Sequence, residues 1–361
     1  MKKIAFLVQL PRGVSPGQRF RIEHFEPFLE EAGYSLSTYP FIDEATFKIL
    51  YQKGHTFKKI IGVLKGWIRR FVFLFKASGY DYIFLQREAA PVGPPIFEWV
   101  LAKILKRKLI LDFDDAIWMP DGSKGYNLVN VIKCYWKVKW LCKWSYKISV
   151  GNQYLANYAL RYNRNVILIP TCVDTENRYT YANNRYNGIK NGAEKVTIGW
   201  TGSHSTLKYL DIIVPVLKEL ETCIDFNFLV ICNERPEFEL RSLCFLPWSK
   251  FTEIEDLKRI DIGVMPLVED AWSEGKCGFK IIQYMALGIP TVASPVGVNK
   301  QIIDHNRNGF LCNTEQEWLD TLVHLIQNEK SRIELGVEGR KKIVQYYSVQ
   351  NNVAKFISLF S

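Results

Sequence analysis

The sequence contains no Cys-x-x-Cys pair and no His-rich stretch. Its eight cysteines (Cys134, Cys142, Cys172, Cys223, Cys232, Cys244, Cys277 and Cys312) are scattered singly, and His24, His55, His204, His305 and His324 lack metal-ligand spacing. Neither a zinc site nor a disulfide framework is therefore expected, and the thiols should be reduced, as in a cytoplasmic protein. No stretch reaches the ~18 to 20 uninterrupted apolar residues of a spanning helix, because Lys or Arg breaks every greasy segment. The chain reads from Lys2 straight into a strand through Ile4, Phe6 and Val8, leaving no room for a signal peptide, so secretion by that route is not expected. Acidic residues are in deficit, with 37 Asp and Glu against 47 Lys and Arg and a net charge of +10. This balance favours an anionic partner: a phosphorylated substrate, an anionic membrane face or nucleic acid. No nucleic-acid-binding motif is present, so that partner is not expected.

What is present is the composition of a globular protein: 48% hydrophobic, 14% aromatic and 23% charged residues. A chain of 361 residues exceeds the usual single-domain length about twofold, which favours two domains. Apolar runs at 4–8, 82–85, 109–111, 148–150 and 166–169 alternate with helix-like stretches such as 21–32, the signature of a parallel α/β sheet. They predict a doubly wound domain over residues 1–180. Residues 175–195, rich in Asn, Tyr, Arg and Gly, read as a linker. A second series follows, with strands at 196–200, 227–230, 263–265 and 291–293 and helices at 210–220, 280–287 and 318–327. It predicts a second Rossmann-like domain over residues 181–347, with a last helix within 348–361.

The most specific segment is Glu274-Gly-Lys-Cys-Gly-Phe-Lys-Ile-Ile-Gln-Tyr-Met-Ala-Leu-Gly-Ile-Pro-Thr-Val-Ala-Ser-Pro-Val-Gly297. A loop carrying Gly278 opens a helix at Phe279, and the start of a helix welcomes a phosphate because its first N–H groups have no intrahelical partner. Lys276 and Lys280 add two charges at that end, where cations disfavour a helix unless an anion offsets them. A plain amphipathic helix with solvated lysines would use the same residues. A second segment, Ile198-Gly-Trp-Thr-Gly-Ser-His-Ser-Thr-Leu-Lys208, runs from a strand into a small-residue loop. Gly202 permits close approach, Ser203 offers a hydroxyl and Lys208 a charge, although a helix N-cap would need the same types.

Three carboxylates, Asp112, Asp114 and Asp115, end the strand at 109–111, where open α/β sheets place their sites. Such a cluster needs a cation, a hydrogen-bonding ligand or a shared proton. Asp114 or Asp115 is the candidate for binding acceptor or donor hydroxyls; a capping aspartate with solvated neighbours is the plain alternative. Asp112-x-Asp114 also imitates the magnesium-binding aspartates of the haloacid dehalogenase family, but Ile117 is out of place by one and the strand is not the first. The loop after the first strand, with Ser15, Arg19 and Arg21, and Arg87 after a later strand, are candidates for acceptor or leaving-phosphate contact.

The 274–297 segment resembles the donor-binding helix of glycosyltransferase family 4: Met285, Ala286, Gly288, Pro290, Val292, Ala293 and Ser294 match its tail. Gln283 stands where that family has a ribose-binding glutamate, and Glu274 lies one place before the position of its sugar-side glutamate. A branch of the family carries Lys-Cys-x-Phe-Lys before Gln-Tyr-Met-Ala, which points to Lys276 and Lys280 as diphosphate ligands. The resemblance implies a GT-B fold, two Rossmann-like domains facing each other across a cleft, with the last helix packing back on the first. It implies a retaining transfer from a UDP- or GDP-linked sugar to a saccharide or lipid-linked acceptor, as in bacterial surface polysaccharide synthesis. In that chemistry the leaving phosphate helps deprotonate the acceptor and no metal is required. Lys208, Lys280, Glu274, Asp114 and Asp115 are then the catalytic candidates. Gly202, Ser203, Lys276, Gly278, Phe279 and Gln283, with the two lysines, form the nucleotide-sugar site. A nucleotide-sugar epimerase and a non-catalytic sugar- or lipid-binding protein are the competing readings.

Two stretches carry much of the basic charge. In 57–76, apolar residues at helix spacing lie opposite Lys58, Lys65, Arg69 and Lys76; in 133–147, lysines interleave with Trp136, Trp140 and Trp144. Two placements fit such helices: the apolar face on the sheet with lysines in water, or a peripheral position on the inner face of a plasma membrane.

Overall fold

The computed structural model describes residues 1–52, 54–120, 128–180 and 195–361, which form two units. Met1–Thr171 with Asn352–Ser361 make the first and Cys172–Asn351 the second, which starts ahead of the boundary expected at 180. Most of the expected linker at 175–195 lies outside the described residues. All eight cysteines are free thiols.

The first unit holds a six-stranded parallel sheet of β1 (Lys3–Val8), β2 (Ser35–Pro40), β3 (Tyr82–Gln86), β4 (Lys108–Phe113), β5 (Lys147–Val150) and β6 (Val166–Leu168). Their order is β2-β1-β3-β4-β5-β6. Residues such as Ile4, Phe6, Ile83 and Leu111 are fully buried, as expected of strands covered by helices on both faces. The sheet order reverses between β1 and β3, so a crevice opens outside their C-terminal ends.

The helix Thr56–Lys76 packs on this unit by its less apolar face. Its buried residues are Gly62, Gly66, Arg70 and Phe73. A Cβ on Gly62 would come within 2.2 Å of Thr46 and one on Gly66 within 2.6 Å of Phe41, so only glycine allows this approach. Arg70 fastens the helix to the sheet, donating to the carbonyls of Ala89 (2.6 Å), Val8 (2.7 Å) and Tyr39 (2.9 Å). Burial pulls its pKa down to about 9, with Glu98 opposing, so it stays charged at neutral pH. Arg70→Met should strand three carbonyls and cost about 3 to 5 kcal/mol, since each unmade buried bond costs roughly 1–3 kcal/mol. Urea denaturation reads this directly, and an unchanged midpoint would contradict it.

The chain end also belongs to the first unit. Phe356 stacks on Phe25 at 4.3 Å, Phe360 meets Tyr82 edge-on at 5.7 Å, and the Lys147 ammonium donates to the Ser358 carbonyl at 2.5 Å.

The second unit contains β7 (Thr197–Thr201), β8 (Asn227–Cys232), β9 (Leu243–Pro247), β10 (Ile262–Met265), β11 (Thr291–Ala293) and β12 (Phe310–Leu311). All pairs are parallel, in the order β12-β11-β10-β7-β8-β9, with the reversal between β7 and β10. Trp200, Leu217, Val230, Val264 and Trp318 are in one apolar core beneath helices Val214–Cys223 and Glu315–Gln327. Both sheets are thus Rossmann-like, each with a crevice set by its strand order.

Candidate active site

In the second unit the 274–297 segment follows β10, runs through β11 and reaches β7 through Tyr284 and Lys280. Gly278 precedes the helix Phe279–Ala286 with φ +65°, a left-handed conformation that side chains resist, and a Cβ there would approach Ile302 to 2.2 Å. Glycine therefore allows the sharp entry that places Lys276 and Lys280 on either side of the helix start. Lys276 lies over the Trp272 ring at 4.9 Å and Lys280 over the Trp200 ring at 5.3 Å. Trp200 is near the C-terminal end of β7, so Lys280 lies at that end of the sheet, beside the β7–β10 reversal. Burial pushes the Cys232 thiol at the end of β8 up, against hydrogen bonds from the Glu234 and Asn233 backbone and the Lys280 charge.

The surrounding loops are stitched together. Tyr284 reaches from the helix to accept the Thr201 amide at 2.8 Å, and burial holds its hydroxyl neutral, well above its ordinary pKa. Ser294 accepts the Leu267 amide at 3.0 Å, joining the loops after β10 and β11. Glu274 accepts the Gly297 amide at 3.3 Å, so one oxygen of the expected sugar-side carboxylate pins the neighbouring loop. At the far end of the helix, Arg340 donates to the carbonyls of Ala286 and Tyr179 and, at 2.7 Å, to that of Thr175. A cation at the helix C-terminus suits its dipole.

Gln283 is only 2% exposed, and its amide donates to the Tyr179 hydroxyl at 2.7 Å, inside the unit. This bond ties the helix to the segment ahead of β7.

The loop after β7 serves two purposes. Ser203 caps the short helix His204–Ile212, with its amide bonded to the Thr206 hydroxyl at 3.2 Å and its hydroxyl 2.9 Å from that of Ser205. Asn233, after β8, accepts the His204 amide at 2.9 Å and ties the two loops. Gly202 is half-buried against Trp200, and Lys208 is exposed above the Tyr209 ring at 5.3 Å.

In the first unit the carboxylates after β4 have their cations. Arg21 is 2% exposed; its guanidinium donates to both oxygens of Asp112, to the Ser149 hydroxyl at 2.9 Å and to the Ile169 carbonyl. Burial pushes the Asp112 carboxyl up from its ordinary value, against the pull of Arg21. Arg21 and Asp112 therefore form a buried ion pair within the unit. Arg19 is buried as well, beside the Phe20 ring.

Arg87 behaves differently. It has φ +66° at the end of β3 and donates to Asp114 at 2.9 Å and to Asp115. Burial acts to lower its pKa, but the two carboxylates outweigh it and hold the guanidinium above its ordinary value. The loop through Ser15 and Gly17 covers this cluster: a Cβ on Gly17 would stand 3.0 Å from an Asp114 oxygen. Arg87, Asp114 and Asp115 thus form one group at the β1–β3 crevice. Trp200, Tyr284, Asn233 and Arg340 escaped the sequence reading. Tyr284, inside the Gln-Tyr-Met-Ala run, was the one with a local signal.

Residues 195–328 match the family model described as glycosyl transferases group 1. No curated protein matches the chain. Sucrose-phosphate synthase from Thermosynechococcus elongatus is similar in structure, with a TM-score of 0.71 at 13% identity over 100% of this chain and 98% of that one. HepE of Anabaena, solved with UDP-glucose, has a TM-score of 0.70 at 16% identity over 99% of this chain and 100% of its own. A glycosyltransferase from Rickettsia africae reaches 0.66 at 13% identity, over 99% and 97%. The second unit thus carries a segment matching the group 1 glycosyl transferases, and the chain has the GT-B fold of these solved glycosyltransferases.

Proposed function

We propose that this enzyme moves a sugar from a UDP-linked donor to a saccharide or lipid-linked acceptor, with retention of configuration, in bacterial surface polysaccharide synthesis on the cytoplasmic side of the membrane. The observation that carries the donor assignment is the helix start at Phe279, flanked by Lys276 and Lys280 at the sheet reversal. A diphosphate there would meet two cations and the positive end of a helix dipole, which strengthen as charge develops on the leaving phosphate. Lysine supplies the charge that a metal supplies elsewhere, so the transfer needs none. UDP is preferred over GDP because HepE, of similar fold, was solved with UDP-glucose. In the first unit, Asp114 and Asp115, oriented by Arg87, are the groups to bind acceptor hydroxyls.

A thermal-shift comparison of UDP with GDP tests the donor. A ligand at 100 times its Kd adds about 2.7 kcal/mol to the folded state. UDP should then raise the Tm by roughly 5 to 10 °C in a domain of this size, and GDP by much less. Equal shifts would sink the UDP preference, and none from either nucleotide would sink the site.

A further inference from the structure

The helix Thr56–Lys76 presents its most apolar face to solvent. Phe57, Ile60, Leu64, Ile68, Phe71 and Phe75 recur at steps of three and four, and all are more than half exposed, Phe57 at 75% and Phe75 at 76%. Packing on the sheet, one of the two placements open from the sequence, belongs instead to the opposite face with its glycines and Arg70. Lys58, Lys65 and Lys76 are exposed along the rim of the stripe. Trp67 continues it, meeting Phe97 at 5.0 Å, towards a groove of about 260 Å³ lined by Pro95, Ile96, Trp99, Trp136, Trp140 and Trp144. Lys139 and Lys143 lie over the Trp140 ring at 5.5 and 4.8 Å.

Segments 54–80, 96–109 and 128–147 contain a single carboxylate, Glu98, which is buried and accepts the Ala89 amide at 2.8 Å. Charge along these segments is nearly all positive, and the neighbouring carboxylates Asp43 and Glu88 are paired with Arg69 at 3.0 Å and Lys137 at 2.7 Å. Contiguous apolar surface of this kind marks an interaction site. Aromatic and aliphatic side chains rimmed by lysine match the boundary of a bilayer, where the rings sit at headgroup level and the ammonium groups meet lipid phosphates.

We propose that this face of the first unit docks on a lipid bilayer carrying anionic headgroups. The inference goes beyond sugar transfer and does not rest on it. A second copy of the chain packed by the same face would bring the exposed Lys58, Lys65 and Lys76 against their like. Nucleic acid would satisfy the lysines but leave Phe57 and Phe75 in water.

The test is sedimentation of the 361-residue chain with vesicles of phosphatidylcholine alone or mixed with phosphatidylglycerol, alongside a double variant, Ile68→Glu with Phe71→Glu. The chain should pellet with the anionic vesicles at low salt and release at high salt, with tryptophan emission shifted to the blue. The variant should bind at least about tenfold more weakly, the loss expected from removing two buried apolar side chains. Both positions are exposed, so its Tm should match that of the parent. A second variant, Lys58→Glu with Lys65→Glu, keeps the apolar stripe and should lose only the preference for phosphatidylglycerol. Failure of the parent to pellet with anionic vesicles at low salt would overturn the proposal. So would equal pelleting of parent and the Ile68→Glu, Phe71→Glu variant. Self-association of the parent that this variant abolishes, without vesicle binding, would assign the face to a second copy and overturn it too. The UDP-induced thermal shift is read separately, so loss of vesicle binding with that shift intact is failure of this surface alone.

Discussion

Lys280→Ala is expected to lower kcat about 100- to 1000-fold, the effect of removing one preorganised donor from a developing oxyanion. The size follows from position. Lys280 lies over the Trp200 ring at the C-terminal end of the sheet, in the first turn of the helix opened by Gly278, so on the proposed mechanism its charge is in place before the sugar–phosphate bond breaks. In water such a charge would be screened, whereas an ammonium backed by a buried indole interacts at lower effective dielectric. The side chain is only partly buried, so the Tm should change little and the loss should appear in turnover. Lys280→Arg keeps the charge but replaces a point cation with a planar fork, and should recover part of the rate. Steady-state kinetics with UDP-sugar decide it: near-normal kcat for Lys280→Ala would remove the lysine from the mechanism.

Asp112→Ala is expected to destabilise the first unit by about 3 to 5 kcal/mol, because it leaves the buried Arg21 charge uncompensated. Only Ser149 and Ile169 would remain of the partners described above, and neither carries a charge. Replacing both members, Arg21→Met with Asp112→Leu, should return most of that stability, since a well-packed apolar pair often equals or betters a buried ion pair. Urea denaturation of the two single variants and the double variant closes the cycle. Near-additive losses would show that the pair is not coupled. Strand β4 carries Asp112 two residues before Asp114, so the single variant should also loosen the Arg87 cluster, whereas the double variant should restore it.

Much of the architecture was legible because buried parallel strands are written as continuous apolar runs. The strands at β1, β3, β4, β5, β6, β7, β8, β10 and β11 appeared in the sequence within a residue or two of their final bounds. The strands that escaped, β2, β9 and β12, are edges or lie at an edge of their sheets. Ser35–Pro40 is polar and only half-buried, and Phe310–Leu311 is two residues long, so neither has a pattern to read. The expected helix at 21–32 is broken into a π-helical turn, Arg19–Glu23, and a shorter helix, Glu26–Glu31, with Pro27 entering the second.

In the proposed donor motif, the helix start opened by Gly278 was legible because Gly278, Lys276 and Lys280 are neighbours in the chain. Gln283 lies in the same run, and its fate was invisible there. Its partner is Tyr179, far away in sequence and ahead of the first strand of the unit. Arg19, Arg21 and Arg87 looked alike as arginines beside glycine or after a strand. Only the packed sheet turns Arg21 inward to Asp112 and leaves Arg87 at the crevice with Asp114 and Asp115.

The sequence by itself determined two parallel α/β units and a phosphate-friendly helix start, because periodicity and adjacent charges are local properties of a chain. Tertiary structure alone decided which cations are spent inside and which remain at an edge, since desolvation and pairing depend on neighbours that folding supplies. The helix at 56–76 makes the distinction plain. Its amphipathic spacing was legible, but glycines small enough to let the backbone approach Thr46 and Phe41, and an arginine reaching three carbonyls, turned the less apolar face inward and left the phenylalanines outside.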